Sequence, residues 1–148
     1  MPGRVEAINI GPPEQLPASV ERVDAHAGKG LVGNRYYFED GARPGRALTL
    51  IAAEALDAVA AEHGIEITGA ESRRNVLTRG IDLNALVGKR FRVGDVDCVG
   101  VELCEPCKHL ESLTQPGVIK GLAHRGGLNA DIVTDGEIAV GDEVVALD

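Results

Sequence analysis

The chain has 148 residues, 44% of them hydrophobic and 26% charged, which is typical of a single domain with a continuous core and atypical of a disordered chain. Its formal net charge of −8 argues against a general nucleic-acid binder, since such proteins are usually basic. No apolar run approaches the roughly 20 residues that a membrane span needs, and the N-terminus lacks the pattern of a signal peptide. We therefore expect a cytoplasmic protein with no nucleic-acid and no membrane partner.

Glycine and proline recur between short apolar runs, a pattern that predicts many short strands joined by turns. We predict strands at residues 5–10, 47–51, 75–78, 91–93, 99–103, 131–134, 138–140 and 143–147. Residues 54–63 are predicted to form a helix, because Leu56, Val59 and His63 recur at helical spacing and Gly64 supplies a C-terminal stop. The expected fold is a single mainly β domain over residues 1–148, barrel-like, with one or two peripheral helices.

Two local patterns make more specific predictions. Apolar residues alternate strictly over residues 99–103, which predicts that Val99, Val101 and Leu103 face the core and sends Cys98 to the opposite face. The sequence Val-Gly-Asp occurs at residues 93–95 and again at 140–142, and in each case we expect a turn whose glycine has a positive φ. We interpret the repetition as recurrent turn chemistry rather than as a duplicated domain.

The cations are concentrated in a few segments. In an acidic chain this is typical of a local anion site, although solvated surface charge is an alternative for each cluster. Neighbouring residues on a strand face opposite ways, so Arg73 and Arg74 can both point inward only where the strand is just beginning. We expect Arg73 or Arg74, Arg35, and His124 or Arg125 to converge on one cleft. The clusters are Arg35, Arg43 and Arg46; Arg73, Arg74 and Arg79; and Lys108, His109, Lys120, His124 and Arg125.

The motif Cys104-Glu105-Pro106-Cys107 is the most informative local feature. The chain has three cysteines, and an odd number in a chain of this size favours thiols over disulfide bridges. A structural zinc site would need a second Cys/His pair at fixed spacing. A thioredoxin-like redox pair would need a parallel βαβ unit around it. Packing of both thiols as small hydrophobic groups is a third interpretation.

The fourth interpretation is a single activated thiolate at Cys107. Pro106 is well placed to begin a helix over residues 108–113, which would put Cys107 in or beside the first turn. The helix N-terminus and the adjacent Lys108 and His109 would then favour the thiolate, the form that soft metals and sulfur transfer require. We predict that Cys107 is the functional centre and lies near the mouth of a cleft, with Cys104 as a slower partner.

Two glycine-containing segments are less specific. Residues 28–35 hold three glycines within six residues but lack Walker spacing and a Rossmann context, so a tight surface loop is the simpler interpretation. His124 and Arg125 precede the pair Gly126-Gly127 at the entry to a predicted strand, where an ordinary turn would look the same.

Taken in order, these features resemble the MOSC family, named for the C-terminal domain of molybdenum cofactor sulfurase, and in particular its small stand-alone bacterial members. The likeness extends over nearly the whole chain. It rests on the order of the pieces: the glycine loop at 28–35, Leu48 to Glu54 entering a helix, Arg73-Arg74-Asn75, residues 78–83, the Cys104 to Cys107 motif, Arg125-Gly126-Gly127, and the closing Val140-Gly141-Asp142.

The resemblance implies a β-rich barrel that binds the molybdenum cofactor, a pterin carrying a dithiolene and a phosphate. By motif position, Cys107 is the family's cysteine, which ligates molybdenum or carries sulfur. The resemblance also implies that Arg73, Arg74 and Asn75 supply anion-binding groups. With the convergence expected above, the candidate cofactor-binding residues are Arg35, Arg73, Arg74, Asn75, His124 and Arg125.

One departure from the family is visible. The glycine loop often continues Gly-Asp-Arg, and here it reads Gly33-Asn34-Arg35, which removes a carboxylate but keeps a hydrogen-bond acceptor. The aminotransferase-like domain of the full sulfurase is also absent, so we expect no covalently bound pyridoxal phosphate.

Two functions follow from the resemblance. The protein is either a molybdenum-dependent oxidoreductase that reduces small N-oxygenated substrates with electrons from a separate partner, or a sulfurtransferase-like carrier between a sulfur donor and a cofactor or acceptor protein. A thiol-disulfide redox protein that uses Cys104 and Cys107 is the alternative from a different class.

Overall fold

The computed structural model of the chain describes residues 2–11, 16–105, 114 and 117–147. Within these residues there are two α-helices, α1 (Ala53–His63) and α2 (Val118–Gly121), and a 3-10 helix (Leu83–Leu86). The strands are β1 (Gly3–Ile10), β2 (Ala18–Val20), β3 (Arg22–His26), β4 (Gly30–Leu31), β5 (Leu48–Ala52), β6 (Val76–Arg79), β7 (Arg90–Val93), β8 (Val96–Leu103), β9 (Leu128–Ile132), β10 (Gly136–Ala139) and β11 (Glu143–Ala146).

Seven strands form a closed barrel in the order β11-β7-β8-β9-β5-β6-β1, and β1 closes it by pairing with β11 through Gly3 and Val144. Strand β2 extends the sheet beside β1, and β10, β3 and β4 form a separate three-stranded sheet. Strands β5 and β6 pair in parallel, so the chain between them must cross over, and it does so through α1. The predicted mainly β, barrel-like fold is confirmed.

Aliphatic side chains fill the barrel, and they come from alternate positions of its strands because successive residues of a strand face opposite sides. A second, smaller cluster packs α1 against the outside of β5 through Leu56, Val59 and Ile51. Gly64 ends α1 with φ +66°, as the sequence predicts, and its N–H donates to Ala60 O. No helix among the described residues combines the length and the apolar character that a membrane crossing demands. The main core includes Ile8, Leu48, Leu50, Val76, Phe91, Val93, Leu128 and Val144.

The predicted orientation of β8 was wrong. Its buried residues are Val96, Cys98 and Gly100, whereas Val99 and Val101 are only half-buried. The inner face carries Gly100 because the 3-10 helix lies directly against it, and a Cβ there would collide with the carbonyl oxygen of Leu86. The face with more valines is therefore not the core face, since the close approach of a neighbouring backbone decided the orientation.

Three short strands, β2 to β4, were not predicted. Strand β4 falls within the glycine segment at 28–35, where a surface loop was expected, and both Gly30 and Leu31 are buried. Other strands are displaced by a few residues: β6 begins at Val76 rather than at 75, and β9 ends at Ile132 rather than at 134. The later start of β6 leaves Arg73, Arg74 and Asn75 ahead of the strand.

The two Val-Gly-Asp turns have the predicted positive φ, +58° at Gly94 and +95° at Gly141. They also contact each other. Gly94 N donates to Glu143 O at 2.9 Å, and Asp142 Oδ2 accepts from Ala139 N at 2.9 Å. A Cβ on Gly94 would collide with this Asp142 carboxylate, whereas a Cβ on Gly141 would meet no atom within 4 Å.

The shared local sequence makes these two glycines a matched pair for measurement. We expect Gly141→Ala to lower the free energy of unfolding by about 1 kcal/mol, the cost of a left-handed alanine. Gly94→Ala should cost about 2 kcal/mol, because the Asp142 carboxylate must also move away from Ala139 N. Urea denaturation of both variants measures the difference, and equal costs would contradict the contact between the turns.

Candidate functional site

A cleft of about 390 Å³ opens beside the start of β6 and the end of β8. Its lining includes four arginines, two carboxylates and the half-buried Cys104; the charged residues are Arg35, Arg46, Arg73, Arg74, Glu102 and Glu105. In a chain of net charge −8, this many cations around one concave surface are typical of an anion site.

Arg74 is buried and joins three segments of the chain. Its Nε donates to Gly126 O at 2.8 Å, one terminal nitrogen donates to Ser72 O at 3.2 Å, and the other donates to Cys104 O at 3.0 Å. No carboxylate of the described residues forms an ion pair with it, so its charge is solvated by main-chain carbonyls alone. Arg74 therefore positions Cys104 and the turn at Gly126 relative to each other.

The glycine pair at 126–127 is explained by this contact. Gly126 supplies the carbonyl that Arg74 Nε binds, and Gly127 has φ +118°. A Cβ on Gly127 would collide with the carbonyl oxygen of Leu50, so the turn lies directly on β5. Gly127 O also accepts from Cys104 N at 2.7 Å, which ties the start of the cysteine motif to the same turn.

Arg73 adopts φ +61°, a left-handed conformation that costs a residue other than glycine about 1–3 kcal/mol. It is nevertheless buried, and its N–H donates to Ala70 O at 3.0 Å. Because this turn precedes β6, alternation does not yet apply, and both Arg73 and Arg74 line the cleft. Both arginines can point inward because they lie just before the strand begins, as the sequence analysis required.

Asn75 joins this turn to the barrel by side-chain hydrogen bonds. Its Oδ1 accepts from Thr49 N at 3.1 Å and from Thr49 Oγ1 at 3.0 Å, and its Nδ2 donates to Asn9 O at 3.1 Å. Both ends of the amide are thus bonded to β5 and β1. Asn75 holds the arginine turn against the barrel, and a direct contact between Asn75 and a cofactor stays a prediction.

The other wall of the cleft is built on Tyr36. The guanidinium carbon of Arg35 lies 5.0 Å from the centre of its ring, and that of Arg46 lies 5.8 Å from it. Both distances are in the range of cation–π contacts. The sequence patterns do not single out Tyr36, whereas Arg46 belongs to one of the cation clusters of the sequence.

His124 and Arg125 do not join the arginines of the cleft. Arg125 donates to Gly121 O at 2.8 Å and to both oxygens of Glu62 at 3.2 and 3.3 Å, and its guanidinium lowers the pKa of Glu62. It faces a separate cavity beside α1. His124 is exposed and reaches the cleft wall only through Glu105, which accepts from its N–H at 2.8 Å and lies 3.2 Å from its Nδ1. The structure thus brings Arg35, Arg73 and Arg74 together and places Arg125 elsewhere.

Asn34 stands where the family often has aspartate, and it is buried. Its Oδ1 accepts from Gly11 N at 3.3 Å and so fastens the end of β1. This role needs only an acceptor, which an aspartate would also supply, and the buried Nδ2 of Asn34 has no hydrogen-bond partner among the described residues.

The cysteines differ in what the structure reveals. Cys107, Pro106 and the predicted helix at 108–113 lie outside the described residues, so the thiolate and its helix stay predictions. Cys98 is buried in the barrel, which raises its pKa to about 12. The described part of the chain contains no group of three or more His, Cys, Asp or Glu side chains arranged to hold a metal ion.

Substitution of Arg74 tests whether its guanidinium stabilises the fold by joining three segments of the chain. Arg74→Lys leaves one ammonium to satisfy carbonyls on three segments, so we expect the free energy of unfolding to fall by about 2 kcal/mol or more. Arg35→Lys, on the exposed side of the same cleft, should change it by less than about 0.5 kcal/mol. Urea denaturation at neutral pH measures both, and an Arg74→Lys variant as stable as Arg35→Lys would contradict the bridging role.

The burial of the Cys98 thiol predicts that the folded protein loses stability in alkali. Folding raises its pKa from 9.0 to about 12, so between these values the thiol ionises in the unfolded chain and stays neutral in the folded one. The contribution of this thiol to the free energy of unfolding is therefore complete below about pH 9 and is lost as the pH rises toward 12. Between pH 8 and pH 10 the chain should lose about 1.4 kcal/mol more than a Cys98→Val variant does. Parallel loss in both proteins would show that the thiol ionises equally in the folded state.

Comparison with known proteins places the fold. The YuaD protein from Bacillus subtilis has a similar structure, with a TM-score of 0.83 at 17% identity, covering 97% of this chain and 94% of that one. YiiM from Geobacillus stearothermophilus gives a TM-score of 0.76 at 17% identity, covering 99% and 76%, and YiiM from Escherichia coli gives 0.73 at 17%, covering 100% and 70%. At these identities the likeness concerns the fold alone.

The sequence itself also has a family match. A comparison with curated proteins finds none that matches. The model of the MOSC domain matches residues 14–145, and that family is associated with molybdenum cofactor binding or sulfur transfer. Because the match spans most of its length, the chain belongs to the MOSC domain family.

Proposed function

We propose that this protein binds a molybdenum cofactor, or carries sulfur destined for one, in the arginine-lined cleft, with Cys107 as the metal ligand or sulfur carrier. The observation that carries the proposal is the buried cation at Arg74. It opens onto the same cleft as Arg73 and Cys104 and pairs with no carboxylate of the described residues. A buried charge is costly without a counter-charge, and an anionic ligand would supply one.

The chemistry of the donor set fits such a cofactor. A pterin phosphate is an anion, and guanidinium groups bind phosphate oxygens with paired N–H donors. Arg35, Arg46 and Arg73 would hold that end, while the cysteine motif that begins at Cys104 would lie toward the sulfur-bearing end. When bound, the cofactor supplies two-electron redox chemistry at molybdenum.

The residues of the chain itself have three tasks in this proposal. The arginines bind and orient the anion, and the burial of Arg73 and Arg74 keeps water away from their inner side. Glu105 accepts from His124 N at 2.8 Å and so joins the start of the cysteine motif to the turn at residue 124. Cys107 must be a thiolate, because a neutral thiol is a poor ligand and a poor nucleophile.

The two mechanisms share this site. As an enzyme, the protein would reduce small N-oxygenated substrates with electrons from a separate partner. As a carrier, it would hold a persulfide on Cys107 and pass the sulfur to a cofactor or an acceptor protein. A thiol-disulfide pair of Cys104 and Cys107 would need neither metal nor pterin, and this difference makes the alternatives separable.

Chemical analysis of protein made in a molybdenum-competent host tests the proposal. We expect molybdenum and pterin in equal amounts if the protein binds the cofactor, or persulfide on Cys107 if it carries sulfur. Arg35→Gln should reduce pterin retention about tenfold by removing charged hydrogen bonds. Arg22→Gln is the matched control, because Arg22 pairs with Glu137 on the surface. Cys107→Ser should abolish metal or persulfide, and Cys104→Ser should leave either largely intact.

Three results would contradict the proposal or one of its parts. Protein with neither molybdenum, pterin nor persulfide, but with a reversible Cys104–Cys107 disulfide, would support the redox alternative. Equal pterin retention in Arg35→Gln and wild type would remove the arginine-lined cleft from cofactor binding. Faster alkylation of Cys104 than of Cys107 near neutral pH would reassign the functional cysteine.

A further inference from the structure

The chain is poor in aromatic residues and distributes them unusually. It has two tyrosines, two phenylalanines and no tryptophan, and three of these four stand consecutively at positions 36–38. Aromatic side chains normally contribute to the core, as Phe91 does here. Phe38 is instead 48% exposed, and Tyr36 and Tyr37 are half-buried. A chain that places most of its aromatic surface outside the core has a recognition surface there.

This aromatic segment, residues 36–38, is held in place by the neighbouring glycine segment. Phe38 N donates to Lys29 O at 3.1 Å, and Ala42 N donates to Gly28 O at 2.7 Å. Gly30 has φ +128°, and a Cβ there would lie 3.1 Å from Tyr36 O, closer than side chains normally come. Gly30 therefore lets the aromatic segment pack against β4.

Tyr37 is fixed by its own hydrogen bonds. Its hydroxyl donates to Glu39 Oε1 at 2.9 Å and so accepts from His26 Nδ1 at 2.8 Å. Glu39 also pairs with Lys29 Nζ at 3.2 Å. The hydrogen bonds from Tyr37 and Lys29 lower the pKa of Glu39, which stays ionised and is neutralised by Lys29. Tyr37 thus anchors the segment, while Tyr36 and Phe38 are left to line a pocket.

That pocket has a volume of about 450 Å³ and is lined by Tyr36, Phe38, Arg43 and Arg46 and by two carboxylates, Glu39 and Asp40. It shares Tyr36 and Arg46 with the arginine-lined cleft, so the two cavities adjoin. Neither Arg43 nor Arg46 forms an ion pair with a carboxylate in the part of the chain that the structure describes. The pocket therefore offers an aromatic face beside two guanidinium groups.

We propose that this pocket is a second ligand site, for a planar aromatic compound that carries an anionic group. The ring would stack on Phe38 and Tyr36, and the carboxylate or phosphate would bind Arg43. Binding here does not depend on the proposed function. Only the further step, in which the ligand is the substrate of a cofactor held in the adjoining cleft, rests on it.

The test is a titration of the full chain with four small probes. Phenyl phosphate and benzoate carry a ring and an anion, benzamide carries the ring alone, and inorganic phosphate carries the anion alone. Aromatic NMR spectra are simple to assign, since the chain has only four tyrosines and phenylalanines. We expect phenyl phosphate, benzoate or both to shift Tyr36 and Phe38 but not Phe91, and to bind at least tenfold more tightly than benzamide and inorganic phosphate.

Variants assign the binding to residues. Phe38→Ala and Arg43→Gln should each weaken binding of the better probe about tenfold, whereas Arg22→Gln should leave it unchanged. Phe38→Leu, which keeps an apolar side chain without a ring, should behave like Phe38→Ala and serves if the alanine variant does not fold. Pterin content measured on the same variants should match wild type, because the second site lies outside the arginine turn.

The proposal fails if inorganic phosphate shifts the Phe38 signals at as low a concentration as phenyl phosphate does, if benzamide binds as tightly as benzoate, or if both Phe38 variants keep full affinity. Failure of this proposal is distinguishable from failure of the proposed function. Normal pterin content with no probe binding would overturn the second site alone, and absent pterin with probe binding intact would overturn the cofactor cleft alone.

Discussion

The hydrogen bonds of the buried Arg74 guanidinium are the constraint on which the cleft depends. They reach carbonyl oxygens at Ser72, Cys104 and Gly126, segments that the chain brings together from far apart in sequence. Main-chain dipoles satisfy the N–H groups but do not cancel the charge, and an uncompensated charge at low dielectric is expensive. The neighbouring turn adds the left-handed conformation of Arg73 to that cost. Such concentrations of unfavourable energy are typical of functional sites, where ligand binding offsets them.

The sequence predicted those parts of the fold in which a local pattern and the tertiary structure agree. Helix α1 is one, since its apolar spacing and Gly64 mark both its face and its end. Strands β2 and β4 were missed because segments of three and two residues show no periodicity. The inner face of β8 was inverted for a different reason. A strand that must admit another backbone at Gly100 places its small residue inward, and counting valines does not reveal which face that backbone approaches.

The site residues that could be predicted are those whose position is decided by their neighbours in the sequence. Arg73 and Arg74 follow from their position just ahead of a strand, and the structure places both in the cleft. Arg125 could not be placed from sequence, because its partner Glu62 lies 63 positions away on α1 and turns it toward another cavity. Tyr36 could have been found from composition, because the chain has only four tyrosines and phenylalanines and three of them are adjacent at 36–38.

Closure of the barrel between β1 and β11 has a consequence for how the protein is made. These strands lie at opposite ends of the described chain, so the pairing of Gly3 with Val144 must close a loop of nearly its whole length. Contacts of such separation form late and fold slowly. During synthesis, the outer edge of β7 and the beginning of β1, at Gly3 and Arg4, stay unpaired until β11 emerges. The nascent barrel is therefore most vulnerable to intermolecular strand pairing just before its last strand is complete, and rapid completion of the chain protects it.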